Sequence, residues 1–251
     1  MTREERLLVI EIAGLPGAGK STTLSEFAHR YGDAVGVQSV FSLESPYRDL
    51  KLLRQLQHVV RFAIGDWRAA MITARFWARS TRWNVFSFKR VLRCWALADR
   101  IDQRKRQSGG GAFVLDQGFL QAIGSLAIPA LSSTLQDVAP ALKSIMLGRI
   151  DAVIWLECPR ALAEARRLGR THGPSCFDAA DQQRASADSE RFERAICAAR
   201  TVASSAGIPT LEINAQDLVD KNAMRIADWI ADLTEKKAPL RTYRIPGSCT
   251  V

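Results

Sequence analysis

A chain of 251 residues (27.8 kDa), 47% hydrophobic and 24% charged, has the length for one α/β core and is far too apolar for a disordered segment. Its net charge of +9 is uneven: residues 48–106 carry 15 Lys/Arg against 4 Asp/Glu, which points to an anionic partner or a solvated helix face. Five scattered cysteines without C-x-x-C spacing argue against a disulfide framework or a zinc site; no apolar run reaches a membrane span, the Arg/Glu-bearing start lacks a secretory pattern, and a cytoplasmic protein is expected.

Leu7 to Ala13 is a short apolar run with one acid, Glu11, and a Gly-rich turn follows at once, which predicts a buried parallel strand. A helix is expected over 21–31, ended near Gly32, and a second strand over 36–43, closed by Glu44-Ser45-Pro46. From Leu50 to Gln107 apolar residues recur at helical spacing (Leu53, Leu56, Val60, then Trp67, Met71, Ala74), with breaks at Gly65 and Asn84. This predicts two or three long helices. Trp67, Trp77, Trp83 and Trp95 all fall in them, either as helix packing or as an aromatic-lined acceptor pocket.

Ser108 to Gly111 stops the helical region, and Ala112 to Leu115 predicts a third strand ending at Asp116. Further elements follow: a helix at 140–147, a strand at 152–156, a helix at 160–168, a polar and mobile segment at 169–188, a helix at 189–204, a strand at 210–213 and a helix at 218–233. Alternating strands and helices predict a three-layer α/β/α P-loop fold, with a parallel sheet of about five strands and an inserted basic helical region. Residues 1–235 form a single domain in this reading, with the insertion at 48–107, a lid at 166–188 and a basic tail at 236–251.

Gly14-Leu15-Pro16-Gly17-Ala18-Gly19-Lys20-Ser21 satisfies G-x-x-x-x-G-K-[ST] between a predicted strand and a predicted helix. In that setting backbone N–H groups turn inward around phosphate oxygens at a helix N-terminus. Lys20 is expected to reach the β- and γ-phosphates and Ser21 to ligate Mg²⁺, with Thr22 offering a hydroxyl near the α-phosphate. Asp116, at a strand end, is the second expected Mg²⁺ ligand. ATP and Mg²⁺ are the expected cofactors. The sequence lacks the N-K-x-D and L-S-G-G-Q motifs, and Gln117 follows Asp116 where hydrolytic ATPases have Glu, which favours transfer to an acceptor over hydrolysis.

With these motifs in place, the chain resembles the P-loop nucleoside and nucleoside-monophosphate kinases, in their thymidylate-kinase-like and deoxynucleoside-kinase-like branch. The resemblance rests on the P-loop, Leu43-Glu44-Ser45-Pro46, the strand ending in Asp116, and Trp155-Leu156-Glu157-Cys158-Pro159 followed by Ala165-Arg166-Arg167-Leu168-Gly169-Arg170. It implies that Arg166 and Arg170 close over the phosphates as lid arginines, and that Glu44 accepts the proton of an acceptor hydroxyl. The family usually has Arg directly after the third-strand acid; Gln117 stands there, which opens the identity of the acceptor. Arg48, Arg75 and Arg79 in the basic helices are candidates to hold it.

The expected activity is transfer of a γ-phosphoryl group to a small anionic or nucleoside-like acceptor. A nucleoside or nucleoside monophosphate leads, a sugar or other hydroxylated metabolite follows, and an ATP-switched module binding nucleic acid or protein is the alternative of another class. A homodimer is compatible with the sequence and no membrane partner is expected.

Overall fold

The computed structural model describes residues 7–42, 52–80, 85–107, 110–127, 138–169 and 182–235. Five strands form one parallel sheet: β1 (Leu8–Gly14), β2 (Val37–Ser42), β3 (Ala112–Gln117), β4 (Ala152–Glu157) and β5 (Thr210–Asn214), in the order β2-β3-β1-β4-β5. The central strand, β1, pairs with β3 on one side (Glu11 beside Leu115) and with β4 on the other (Ala13 beside Trp155).

Every residue of β1 is buried, as a strand covered on both faces requires. On one face, Ile10 and Ile12 of β1, Val114 and Ile154 pack with Leu24 and Phe27 of α1 (Lys20–Tyr31) and with Ile226 and Ile230 of α9 (Val219–Glu235). On the other, Val9, Ala13, Leu115 and Trp155 meet the remaining helical layer. That layer contains α2 (Leu52–Gly65), α3 (Trp67–Ser80), α4 (Val85–Gln107), α5 (Phe119–Ala127), α6 (Val138–Met146) and α8 (Gln182–Ser205), while α7 (Arg160–Leu168) follows β4. The expected three-layer arrangement is present.

The structure departs from the sequence reading in three places. Helix α5, not expected, directly follows β3 and is almost entirely buried. Helix α8 begins at Gln182, inside the segment read as polar and mobile, and of that segment 170–181 lies outside the described residues. The break expected at Gly65 falls at the junction of α2 and α3 and that at Asn84 lies outside the described residues, but the apolar stripe used to infer the helices faces outward: Phe62, Ala69, Ala70 and Phe76 enter the core, whereas Leu53, Leu56, Val60, Trp67 and Met71 are exposed. Two of the tryptophans do pack, and through polar handles: Trp95 Nε1 donates to Thr73 Oγ1 at 2.8 Å and Trp77 Nε1 to Ser87 Oγ at 3.0 Å.

The helical insertion is locked to the sheet by Arg149, which precedes β4. Its buried guanidinium donates to Asp66 Oδ2 (3.0 Å), to Asp102 Oδ2 (2.9 and 3.0 Å) and to the carbonyl of Ile145 (3.2 Å), and lies 5.1 Å from the centre of the Phe62 ring. One cation thus ties the α2–α3 junction, α4 and α6 together. At the same end of the sheet, Asp151 Oδ2 accepts from Val9 N at 2.9 Å and from Lys105 Nζ at 2.6 Å, joining the starts of β1 and β4 to α4.

Candidate active site

Parallel strands in an open α/β sheet leave their carboxyl ends facing a crevice, and the sequence motifs converge there. The turn from β1 into α1 is the Gly14–Ser21 loop, with Gly19 at the N-cap of α1. Gly17 has φ 92°, and a Cβ on it would stand 2.2 Å from the carbonyl oxygen of Ala163 in α7, so only glycine fits between loop and helix. Ala18 N donates to the Leu15 carbonyl at 3.1 Å and closes the turn around Pro16. Lys20 is buried, its Nζ donating to the carbonyls of Gly14 (2.9 Å) and Leu15 (3.0 Å), which holds the ammonium over the loop. Ser21 and Thr22, the next residues of α1, are exposed.

Asp116 meets Ser21: the Ser21 hydroxyl donates to Asp116 Oδ2 at 2.8 Å, although 95 residues separate them. Asp116 Oδ1 is buried and has no hydrogen-bond partner. A buried carboxylate oxygen without a donor, beside a hydroxyl on a phosphate-binding loop, fits a magnesium ion. Among the described residues no group of three or more His, Cys, Asp or Glu could hold a metal.

Arg166, in the last turn of α7, reaches the loop. Its Nη1 donates to the Ala18 carbonyl at 3.3 Å and its Nη2 to the Ala215 carbonyl, just after β5, at 3.1 Å. Its neighbour Arg167 is buried, and with Pro16 of the loop, Ala163 and Glu193 it lines a small cleft. Arg75 and Arg79 stand on the exposed side of α3. Glu44, Arg48 and Arg170 lie outside the described residues.

Beside the phosphate loop a cavity of ≈ 510 Å³ opens between Gly14 and Leu15, the ends of β4 and β5, and α8. Neither Ser21 nor Asp116 lines it. Glu157 and Arg200 form a 2.8 Å ion pair on its wall, and Cys158 lines it as well; burial raises the Cys158 thiol against the opposing pull of Arg166 and Lys20.

The sequence reading passed over Glu11 as a site residue, although a lone acid in an apolar strand was its signal. The Glu11 carboxyl, fully buried, accepts from the first backbone N–H groups of α5: Leu120 at 2.8 Å, Phe119 at 3.0 Å and Gln121 at 3.4 Å. It therefore caps the helix that starts three residues after Asp116. Gly118 completes the arrangement, since a Cβ there would stand 2.4 Å from Glu11 Cδ. Glu11 and Gly118 together set the turn that carries Asp116 to Ser21.

No family model matches the sequence, and no curated protein aligns with it significantly. Among solved structures, the deoxyadenosine kinase from M. mycoides with bound dATP superimposes on 89% of this chain and 98% of its own, with 14% sequence identity and a TM-score of 0.49.

Proposed function

We propose that this chain is an ATP-dependent phosphotransferase that moves the γ-phosphoryl group to a nucleoside or nucleoside monophosphate. The observation that carries the reading is the 2.8 Å contact between Ser21 and Asp116 at the N-terminus of α1, beside a complete phosphate-binding loop. A loop of this kind that served only as a turn has no need of a buried, half-satisfied carboxylate at its mouth.

Ser21 and Asp116 would hold Mg²⁺, which when bound to a nucleoside triphosphate neutralises charge on the β- and γ-oxygens. Lys20 exchanges its two carbonyl acceptors for phosphate oxygens, and the backbone N–H groups of the Gly17–Ser21 turn orient the β-phosphate. Arg166, already against Ala18, presents a planar donor fork to the side of the transferring group. Catalysis in this scheme is alignment and charge stabilisation. For a hydroxyl acceptor, Glu44 is proposed as the proton acceptor; for a phosphate acceptor no base is required. The Arg-to-Gln departure at Gln117 makes the acceptor class the point to measure.

The test is ADP formation with a panel of nucleosides, nucleoside monophosphates and sugars. Acceptor-dependent ADP release that Lys20→Ala abolishes is the expected result. ADP release that needs no acceptor and survives Lys20→Ala would sink the reading, and stimulation by sugars alone would move the acceptor to the second class.

A further inference from the structure

Helices α2 and α3 act as one bent rod. Asp66 N donates to the Phe62 carbonyl at 2.8 Å and Ala70 N to the Asp66 carbonyl at 3.0 Å, so the helical ladder runs through the junction. The inner side of the rod is occupied by Phe62, Ala69, Ala70, Thr73 and Phe76, all buried. Its outer side carries Leu53, Leu56, Val60, Ile64, Trp67 and Met71, between 47% and 76% exposed. Their spacing of three, four, four, three and four residues keeps them on one line over nineteen residues, about 27 Å of helix. Scattered exposed apolar residues are ordinary in folded proteins, but six large ones in a continuous line mark an interaction surface.

Charge identifies what covers it. Arg54, Arg61, Arg68 and Arg75 recur every seven residues, each one position after a residue of the line or of its continuation (Leu53, Val60, Trp67, Ala74), and all four are exposed. The only acid in residues 52–80 is Asp66, whose carboxylate is engaged by Arg149 at 3.0 Å. The apolar line is therefore flanked by a row of cations with no exposed carboxylate on the rod to balance them. A second copy packed antiparallel about a two-fold axis would set one arginine row beside the other. Nucleic acid would match the arginines and leave the line of Leu, Val and Ile in water. An anionic bilayer surface satisfies both: the apolar side chains enter the headgroup–acyl boundary while guanidinium groups meet lipid phosphates.

The geometry points to the outer face of α2–α3 as a docking surface for an anionic phospholipid membrane, on which the protein lies peripherally. No described helix is long and apolar enough to cross a bilayer, so the contact is one of surface seating. The inference stands independently of phosphoryl transfer.

Flotation of the full chain with vesicles tests it, comparing equimolar phosphatidylglycerol–phosphatidylcholine with phosphatidylcholine alone. The chain is expected to float with the anionic vesicles at low salt, and to be released as salt rises or the anionic lipid is removed. Ile64→Gln with Trp67→Gln should weaken binding at least about tenfold, and Arg54→Gln or Arg61→Gln about fivefold each, as expected for a cation near an anionic surface. All four side chains are exposed, so unchanged thermal unfolding confirms that the variants remain folded. Absence from anionic vesicles overturns the inference. So does vesicle binding that ignores Ile64→Gln with Trp67→Gln, a dimer in sedimentation that those substitutions dissociate, or arginine-dependent binding to DNA that the apolar substitutions leave intact.

Discussion

The hydroxyl of Ser21 and the carboxylate of Asp116 share a 2.8 Å hydrogen bond that joins the start of α1 to the tip of β3. The second Asp116 oxygen is buried and unpartnered, and in the proposed function Ser21 and Asp116 would together hold Mg²⁺. Ser21→Ala and Asp116→Asn are each expected to lower kcat by about 10²- to 10³-fold, and to raise the Mg²⁺ concentration needed for half-maximal rate. Steady-state rates across a Mg²⁺ titration check this. A variant that keeps the wild-type metal dependence would place the ion elsewhere.

Arg166 links the phosphate loop to the loop after β5 through Ala18 and Ala215. Arg166→Ala should lower kcat by about 10³-fold if the guanidinium meets the transferring group, with a smaller change in KM for ATP. Arg166→Lys keeps the charge and loses the fork, so an intermediate rate is expected. An equal rise in KM with kcat unchanged would assign Arg166 to ground-state binding instead.

Burial pushes the Glu11 carboxyl from 4.5 up to about 8, against the opposing pull of the α5 backbone N–H groups. A carboxyl raised on folding holds its proton more tightly in the folded state. The stability it contributes is complete below about pH 4.5 and is lost as pH rises through about 8. Wild type should therefore lose on the order of a few kcal/mol relative to Glu11→Gln between about pH 5 and pH 8, with the difference level above that. Denaturant unfolding at a series of pH values measures it. Gly118→Ala, whose Cβ would meet Glu11 Cδ at 2.4 Å, should cost about 1–3 kcal/mol, and part of that cost should vanish in the Glu11→Ala background.

Arg149 bridges Asp66 and Asp102, and burial raises the Asp102 carboxyl in spite of it. Arg149→Ala leaves both carboxylates without their common partner and should destabilise the fold by about 3–5 kcal/mol. Arg149→Ala with Asp66→Asn and Asp102→Asn should recover much of the loss. Thermal unfolding of the three proteins distinguishes a lost ion pair from a lost packing contact with Phe62.

The phosphate loop and the strand ending in Asp116 were legible because each is a local pattern: a fixed spacing of glycines with Lys20 and Ser21, and a short apolar run closed by an acid. Their meeting was not legible in geometry, only in expected role. Helix α5 was missed because Phe119–Ala127 is apolar all round apart from Gln121 and Ser125, includes Gly124, and is capped by Glu11 from 108 residues away instead of by a neighbour. The start of α8 was missed because residues 182–188 carry no apolar periodicity. The opposite error concerns α2 and α3: periodicity correctly gave helices, but a regular apolar line cannot say whether it faces the core or solvent. Phe62, Ala69, Ala70 and Phe76 take the inner side, and the small alanines that let α3 approach its neighbours are weak signals in sequence. Glu44, Arg48 and Arg170 fall outside the described residues, so that part of the site rests on the sequence.

The contact between Gly17 and Ala163 bears on how this loop can diverge. In the motif itself, position 17 is one of four that admit any residue; here the Ala163 carbonyl withdraws that freedom, since the space a side chain would need belongs to α7. A relative with a larger residue at this position must have moved α7 away from the loop, and Arg166 travels with that helix. The substitution pattern at one nominally free position thus becomes a gauge, readable from sequence alone, of whether a descendant of this fold still brings an arginine to its phosphate loop.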